Sequence, residues 1–445
     1  MLVSMNSLDP QLYSDLEYRG LVKQVTDPAL AQVLAREPLT LYAGFDPTAD
    51  SLHVGSLLPL LTLRRFQQAG HRVIAVVGGA TGMIGDPSFK AQERSLLTSD
   101  QIDRNLAGIT RVISHFLKLD GSNPALIVNN AEFYQGVSYI DFLRDVGKHF
   151  TINHMLAKES VRARLEDRDH GISYTEFSYM LLQAYDFFVL NEKQRCRLQI
   201  GGSDQWGNIT AGTELIRRMR AAHVTSSNHP ITQGEVYGLT HPLVMKADGT
   251  KFGKSEQGTI WLDSHRTSPY QLYQYFIGTA DADVVMFLKF FSFLPHERIQ
   301  ELEESVKAAP EKRQAQSALA RELVTLVHGP EELARAEKAT QSLFGSEIRD
   351  LDGPTLLQVM SGAPATSKAR ASLQSPGWPL IDALVESGLC SSKGAARKDI
   401  AGGGVYVNNA RATDPAATIT STDLIADRYL VLRKGKKTYH LVAFE

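Results

Sequence analysis

Apolar and polar positions follow two different spacings over the first half of the chain. Short, almost wholly apolar runs predict buried strands, and the clearest is RVIAVV, which begins at Arg72. Three further runs of this kind begin at Leu39, Ala125 and Cys196. Between them lie stretches with helical spacing, such as LLPLLTLRRFQQ from Leu57, whose two arginines and two glutamines predict a solvent-facing side. Alternating strands and helices predict a parallel α/β sheet over the first 243 residues.

The pattern changes in the second half of the chain. From Pro295 to Phe344 it becomes helical and rich in charge. The stretch that follows contains SGAPATSK and SPGWP, which are typical of a linker. The last part shows two strand patterns and three consecutive glycines, as in a small α/β module. We therefore predict four regions, with bounds 1–243, 244–344, 345–376 and 377–445.

Length, charge and cysteine content narrow the class of protein. A chain of 445 residues is too long for one hydrophobic core. Its net charge of −2 indicates that any nucleic-acid site must be local. Cys196 and Cys390 lie far apart in sequence, which argues against a disulfide framework or a zinc site and fits a cytoplasmic protein. Residues 1–20 do not resemble a signal peptide, and we expect no membrane segment and no bound metal.

The segment LHVGS precedes the helix that begins near Leu57. His53, Gly55 and Ser56 therefore lie where a strand-loop-helix unit presents free backbone N–H groups. Such a position suits an anion. Taken alone, these residues are better explained by a simple helix-capping loop.

Two glycine-containing stretches come close to known phosphate-binding patterns without matching them. In GGATGMIGDPS, Ala80 occupies a position where the dinucleotide fingerprint requires glycine, so a tight turn and a ligand contact both remain open. Asp86 in this stretch is expected at the carboxyl edge of the sheet. In DGTKFGKS, only three residues separate the two glycines, whereas a Walker A loop needs four. Lys251 and Lys254 could still contact a polyphosphate, but a solvated basic turn is the better explanation of this stretch taken alone.

A predicted buried helix carries an unusual polar stripe. In EFSYMLLQAYDFFVL, Tyr179, Gln183 and Asp186 are spaced so that they share one face. Burying these groups without partners is costly, so the stripe indicates either a hydrogen-bond network or a pocket for a small polar ligand, and we favour the pocket. Asp204 and Gln205 in GGSDQWGN repeat this pattern after another strand.

Five of these blocks, in chain order HVGS, GDPS, FSYMLLQAYDF, IGGSDQWGNI and KFGKS, closely resemble the tyrosyl-tRNA synthetases, class I aminoacyl-tRNA synthetases of bacterial type. The resemblance implies a Rossmann-like parallel-sheet catalytic domain, a helical anticodon-binding domain and a C-terminal S4-like RNA-binding domain. It implies activation of L-tyrosine by ATP and Mg²⁺ to tyrosyl-adenylate, transfer to tRNA(Tyr), and release of pyrophosphate and AMP. The resemblance implies a homodimer and no tightly bound cofactor.

The resemblance also implies roles for individual residues. Those expected to bind tyrosine are Tyr42, Asp86, Tyr179, Gln183, Asp186 and Gln205. Those expected to bind ATP are Asp46, His53, Gly55, Ser56, Asp204 and Lys254. Those expected to act in catalysis are Thr48, His53, Lys90, Arg94, Lys251 and Lys254. HVGS corresponds to the HIGH motif of the family. Two positions depart from the family pattern. Ser56 replaces the second histidine of that motif, and Phe89 replaces a glycine in the mobile loop after GDPS.

The C-terminal region resembles an S4 RNA-binding domain. Two clusters of basic residues support contact with RNA phosphates. The residues expected at this surface are Lys393, Arg397, Lys398, Lys434 and Lys436. Three other functions remain open at this stage: a catalytically inactive RNA-binding protein, an ATP-dependent kinase, and a tryptophanyl-tRNA synthetase, which the Tyr42 and Asp186 pair disfavours.

Overall fold

The structure is a computed structural model. It describes residues 8–87, 97–156, 158, 161–162, 172–222, 234–250, 252–255, 258–342, 346–360, 363–435 and 438–445. The chain divides into two compact units. The first comprises Met1–Arg266 and Thr279–Ala315, and the second comprises Thr267–Gly278 and Gln316–Glu445.

A six-stranded sheet forms the centre of the first unit. Its strands are β1 (Gln24–Val25), β2 (Thr40–Phe45), β3 (Arg72–Val77), β4 (Leu126–Asn129), β5 (Cys196–Gly202) and β6 (Tyr237–His241). Their spatial order is β1-β6-β5-β2-β3-β4, and every pairing is parallel except that of β1 with β6. The predicted parallel α/β sheet is confirmed. From β2 the chain proceeds to β3 and β4 on one side and then returns to β5 on the other, so the direction of winding reverses between β2 and β5.

Helices cover both faces of this sheet. They are Leu12–Tyr18, Leu30–Arg36, Leu57–Gln68, Thr81–Ile84, Ser99–Phe116, Tyr139–Asp145, Ile152–Leu156, Tyr174–Gln194, Trp206–Ala221, Asp281–Phe291 and His296–Ala308. Two short strands, β7 (Lys254–Ser255) and β8 (Gly258–Thr259), pair antiparallel. The helices Tyr174–Gln194 and Trp206–Ala221 pack closely because Gly212 has no side chain. A Cβ there would lie 2.9 Å from Phe187 Cδ1.

The helix Leu57–Gln68 is buried on more sides than its sequence predicts. Its leucines and Phe66 lie in the core, as expected. Arg65 and Gln67, predicted to face solvent, are buried as well. The Arg65 guanidinium donates to the Ser292 carbonyl, and the Gln67 amide donates to the carbonyl oxygens of the loop that follows Phe116. These distant partners satisfy the Gln67 amide and one end of the Arg65 guanidinium, which is why burial is tolerated, although Arg65 Nε has no partner among the described residues.

The second unit combines helices with a five-stranded sheet. Its helices are Pro269–Ile277, most of Gln314–His328, Pro330–Ser342, Gly353–Val359, Leu380–Glu386 and Lys393–Ala401. Its strands are β9 (Ala365–Lys368), β10 (Trp378–Pro379), β11 (Val405–Val407), β12 (Ala410–Arg411), β13 (Thr418–Ile419), β14 (Tyr429–Lys434) and β15 (Thr438–Phe444). The larger sheet has the order β12-β11-β14-β15-β9, and β10 pairs with β13.

The stretch 345–376, which the sequence predicts as a linker, contains regular structure in its described part. Strand β9 pairs in parallel with β15. Leu356 and Met360 share a hydrophobic cluster with Val431 and Leu441. Short elements bounded by glycine and proline look like a linker in sequence, but here they complete the C-terminal sheet and its core.

None of the described helices combines the length and apolar character needed to cross a bilayer. Cys196 and Cys390 are both free and buried. Burial raises the pKa of the Cys196 thiol well above its ordinary value and raises the pKa of the Cys390 thiol as well, so neither thiol ionises near neutral pH.

Candidate active site

A cavity of about 370 Å³ opens at the carboxyl ends of β2, β3 and β5. This is where the sheet reverses its winding, the place at which open α/β sheets bind ligands. The predicted residues that line it are Tyr42, Asp46, Thr48, His53, Gly55, Ser56, Asp86, Tyr179, Gln183, Asp186, Asp204 and Gln205. The predicted Lys90, Arg94 and Lys251, together with Phe89, lie outside the described residues, and of Lys254 only the backbone is described.

The deepest part of the cavity contains Tyr42 and Asp186. Tyr42 is 2% exposed, and its hydroxyl has no hydrogen-bond partner among the described residues. The two oxygens of Asp186 accept hydrogen bonds of 2.8 Å from Asn130 Nδ2 and from the Tyr134 hydroxyl. Burial raises the pKa of Asp186 to about 7, and burial together with the Asp186 charge raises the pKa of Tyr42 well above its ordinary value. An unpaired buried hydroxyl is unfavourable, so this end suits a ligand with a polar tip.

A hydrogen-bond network connects Asp186 to the neighbouring strands. Asn130 Nδ2 also donates to Thr81 Oγ1 at 3.0 Å, and Thr81 Oγ1 donates to Asp46 Oδ1 at 2.8 Å. The second oxygen of Asp46 accepts from the Tyr179 hydroxyl at 2.9 Å. Sequence reasoning did not identify Thr81, Asn130 or Tyr134. The paired asparagines that end the predicted strand ALIVNN, at the carboxyl edge of the sheet, were the available signal.

A second chain of amides lies along the middle of the cavity. Gln205 Nε2 donates to Asp86 Oδ2 at 2.7 Å. Asn208 Nδ2 is 3.1 Å from both Gln183 Oε1 and Gln205 Oε1. Burial, with a further contribution from Asp86, raises the pKa of Asp204. The described lining thus contains four aspartates and neither lysine nor arginine, which makes it suitable for a ligand that carries a positive charge.

The HVGS segment forms a short helical turn, Val54–Ser56, before the helix Leu57–Gln68. The Gly55 N–H donates to His53 Nδ1 at 3.0 Å. Burial lowers the pKa of His53, so the neutral ring carries its proton on Nε2, where it can donate to a ligand. A Cβ at position 55 would lie 2.6 Å from His53 Cε1, so glycine permits this arrangement.

Backbone hydrogen bonds connect the HVGS and KFGKS segments. Val54 N–H donates to the Ile260 carbonyl at 3.0 Å, and Leu262 N–H donates to the Leu52 carbonyl at 2.9 Å. Ile260 N–H in turn donates to the Gly253 carbonyl at 3.1 Å. The KFGKS turn is thereby fixed beside the cavity.

The aromatic ring of the KFGKS turn is also anchored. The Phe252 ring stacks on Phe291, with centroids 5.0 Å apart, and meets the edge of Phe287 at 4.8 Å. All three rings are buried. Aromatic pairs of this kind are each worth about 0.5–1.5 kcal/mol beyond their buried area. The turn therefore has a hydrophobic attachment in addition to its backbone one.

Comparison with known proteins identifies the family. The model of class I tRNA synthetases for tryptophan and tyrosine matches residues 34–345, and the model of the C-terminal domain of tyrosine–tRNA ligases matches residues 357–442. The chain is 51% identical to the tyrosine–tRNA ligase of Opitutus terrae over 433 residues, covering 97% of this chain and 99% of that protein. The chain belongs to the tyrosyl-tRNA synthetase family. The corresponding ligase of Geobacillus stearothermophilus is 49% identical over 435 residues, with the same coverage.

Solved structures agree with this assignment. A C-terminally truncated mitochondrial tyrosyl-tRNA synthetase from Aspergillus nidulans is 32% identical, with a TM-score of 0.67 over 75% of this chain and 94% of its own. The tyrosyl-tRNA synthetase of Archaeoglobus fulgidus, 18% identical with a TM-score of 0.52, shows the common fold. The chain is thus an ATP-dependent tyrosine–tRNA ligase of class I, as the ordered motifs predict, and not a kinase or a tryptophan enzyme.

Proposed function

We propose that the cavity binds L-tyrosine and ATP side by side and joins them as tyrosyl-adenylate, before the tyrosyl group passes to tRNA(Tyr). The observation that carries this proposal is the unpartnered Tyr42 hydroxyl next to the buried carboxylate of Asp186. A phenol hydroxyl satisfies both groups, because it can accept from Tyr42 and donate to Asp186. Phenylalanine would leave the Tyr42 hydroxyl without a partner and would give Asp186 no donor beyond Asn130 and Tyr134.

The middle of the cavity suits the other end of tyrosine. Asp86, Tyr179, Gln183 and Gln205 supply carboxylate, hydroxyl and amide oxygens that can accept from an ammonium group. In the described arrangement, the Tyr179 hydroxyl proton is directed at Asp46, so the hydroxyl oxygen remains available as an acceptor. We assign these four residues to the α-ammonium group.

The HVGS turn suits the triphosphate of ATP. The free backbone N–H groups expected from the sequence are not found here, because Val54, Gly55 and Ser56 all donate within the protein. The donor that this turn offers to a phosphate oxygen is His53 Nε2–H. Ser56 offers a hydroxyl where the family pattern has a second imidazole. Thr48, Asp46 and Asp204 belong to the same nucleotide site, and Lys90, Arg94, Lys251 and Lys254 are assigned to the leaving pyrophosphate. Mg²⁺ enters as part of the nucleotide substrate and neutralises phosphate charge.

Catalysis by this site rests on positioning and charge stabilisation. The carboxylate of tyrosine attacks the α-phosphorus, the bond to the β-phosphate oxygen breaks, and pyrophosphate leaves with its electron pair. A ribose hydroxyl of tRNA then attacks the activated carbonyl and releases AMP. No side chain has to act as a nucleophile, because the substrate carboxylate is already ionised.

Tyrosine-dependent exchange of labelled pyrophosphate into ATP, measured with each of the twenty amino acids, tests this function. We expect exchange with tyrosine and at least a thousandfold less with phenylalanine. The unpaired buried hydroxyl of Tyr42, together with the loss of a charge-assisted hydrogen bond to Asp186, justifies that margin. Formation of ADP and a phosphorylated product, or exchange with tryptophan instead, would contradict the proposal.

We propose that the second unit contributes to tRNA binding through its basic surface. We also propose that the helical region 244–344, which belongs partly to each unit, contacts the anticodon. Lys393, Arg397 and Lys398 are exposed on one helix. Lys393 pairs with Asp382 at 2.7 Å, and Lys434 pairs with Asp399 at the same distance. Exposed ion pairs of this kind are weak, so RNA phosphates can displace the aspartates. Lys436 lies outside the described residues.

A chain that ends at Ser342 should activate tyrosine normally and charge tRNA about tenfold or more slowly. This end point is preferable to one near Ser375, because Leu356 and Met360 pack on the C-terminal sheet and would lose their cover. The measurements are pyrophosphate exchange and aminoacylation at two salt concentrations. The full chain should show the steeper salt dependence, because it releases more counterions from the RNA. Equal charging by both chains would show that this region has another role.

We propose that the enzyme is a homodimer of the cytoplasm, as is implied by its family and supported by an exposed apolar patch. Tyr139, Ile140 and Tyr174 are 61%, 68% and 63% exposed, and the two tyrosine hydroxyls are 3.1 Å apart. Large apolar side chains that remain exposed together mark interaction surfaces.

Replacing Ile140 with glutamate should convert a dimer into a monomer, because a charge would be buried in the contact. Sedimentation equilibrium measures the mass directly. Ile140→Leu is the matched control and should remain dimeric. A dimer of unchanged affinity in Ile140→Glu would show that the subunits meet elsewhere.

A further inference from the structure

One corner of the cavity is formed by the ends of β5 and β6. Gly202 pairs with His241 across these strands, and both residues line the cavity together with Asp204 and Leu243. A Cβ on Gly202 would lie 2.4 Å from Asp204 Oδ1 and 3.2 Å from Leu243 Cδ2. These residues therefore lie close together at the ends of β5 and β6, whereas Tyr42 belongs to β2.

His241 presents an unpaired acceptor at this corner. Its ring is 5% exposed, and Nδ1 is 3.2 Å from the Pro242 carbonyl. A carbonyl oxygen can only accept, so Nδ1 carries the proton. Burial lowers the pKa of His241 to about 4, and the ring is neutral at pH 7. Nε2 is then a lone-pair acceptor, and it has no partner among the described groups.

A buried acceptor of this kind is costly unless a ligand satisfies it. The proposed function assigns tyrosine to Tyr42, Asp186 and the amide chain, and the triphosphate to the HVGS turn. The nucleoside half of ATP is the part of the substrates that remains for this corner. Leu243 supplies an apolar surface for a base, and Asp204 supplies a carboxylate for hydroxyl groups.

We propose that His241 Nε2 accepts a hydrogen bond from the adenosine part of ATP and so contributes to nucleotide specificity. The donor is an N–H or O–H group, which adenosine offers as the 6-amino group of the base and as the ribose hydroxyls. This inference rests on the proposed function, since it assumes that the cavity binds ATP. His241 acts by binding and takes no part in the chemical step.

The full-length His241→Phe variant tests the contact, because phenylalanine retains a ring of similar shape without the nitrogen. We expect the dissociation constant and KM for ATP to rise about fivefold to tenfold, the value of one buried hydrogen bond. The kcat for pyrophosphate exchange and the dissociation constant for tyrosine should stay within twofold. His241→Gln offers an amide oxygen and should recover part of the affinity.

Three analogues identify the donor: purine riboside triphosphate, 2′-deoxy-ATP and 3′-deoxy-ATP. The analogue that lacks the relevant group should bind the parent enzyme and His241→Phe equally well. His71→Phe is the matched control, because His71 is also buried, with Nε2 unpartnered among the described residues, but it lies at the amino end of β3, away from the strand ends that line the cavity. It removes the acceptor for the Leu39 N–H and should lower the melting temperature without changing ATP affinity.

Calorimetric titration with ATP separates this inference from the proposed function. ATP binding without tyrosine-dependent exchange in the parent enzyme would refute the proposed function, while the comparison of His241→Phe with the parent would still decide the contact. The role of His241 would be overturned if the parent enzyme and His241→Phe bound ATP equally well. It would also be overturned if His241→Phe lost the same affinity for ATP and for all three analogues.

Discussion

Replacing Lys254 with alanine is expected to slow adenylate formation by about 10²–10³-fold while leaving tyrosine affinity within twofold. A lysine of the KFGKS turn meets phosphate charge mainly as the bond to pyrophosphate breaks, so its loss raises the barrier and hardly changes ground-state binding of tyrosine. Single-turnover formation of tyrosyl-adenylate measures the step directly, and equilibrium titration measures tyrosine binding.

Two further variants make this result specific. Lys254→Arg keeps the charge but not the geometry and should recover part of the rate. Phe252→Leu keeps an apolar anchor against Phe287 and Phe291 and should leave the rate within about tenfold of the parent. An unchanged single-turnover rate in Lys254→Ala would remove this lysine from the reaction.

The second large effect is expected for Asp186→Asn. Both oxygens of Asp186 already accept from donors, Asn130 and Tyr134, so an amide must turn its NH₂ group toward one of them. The variant also loses a charge-assisted acceptor for the phenol hydroxyl. We expect kcat/KM for tyrosine to fall about a hundredfold, with a much smaller change for phenylalanine. The ratio of the two values measures discrimination.

Tyr42→Phe is the comparison variant, since it removes one partner of the phenol without disturbing the Asp186 network. It should reduce discrimination by about 1–2 kcal/mol. If both variants keep the parent ratio, the phenol is recognised elsewhere. Because Tyr42 and Asp186 share one ligand group, the two effects are not expected to add.

The raised pKa of Asp186 adds a pH signature. The carboxyl is half ionised near pH 7 in the free enzyme, so KM for tyrosine should increase as the pH falls below about 7. The pKa of Asp186 is higher in the folded than in the unfolded chain. Its contribution to the free energy of unfolding is therefore fully present below about pH 4 and is lost as the pH rises through about 7. Asp186→Asn should lack both pH effects, which melting curves and KM profiles can measure.

The sequence predicted the elements of the first unit well because its strands are short apolar runs and its helices have clear periodicity. Its failures have a common cause. Arg65 and Gln67 looked solvated, yet their partners, the Ser292 carbonyl and the carbonyl of Lys118, are remote in the chain. Periodicity predicts which face of a helix is polar, but it does not predict which distant groups will pack against that face.

The described residues predicted to bind tyrosine and ATP, other than Lys254, line one cavity because most of them occupy strand ends and a polar helix face, which local patterns reveal. Thr81, Asn130 and His241 were missed because their importance depends on tertiary contacts. An asparagine at a strand end or a histidine in an apolar strand is ordinary in sequence. Only the three-dimensional arrangement shows that one is fully bonded and another lacks a partner.

The backbone connection between HVGS and KFGKS determines which sequence changes these two motifs can tolerate. The hydrogen bonds of Val54, Ile260 and Leu262 join backbone atoms only, and they are indifferent to side-chain identity. Side chains that do not shape either turn, such as that of Ser56, can therefore vary while the spacing between the two motifs is retained. Insertion of a single residue between Thr259 and Leu262 would be far more damaging, because it would turn the paired segment over and detach one motif from the other.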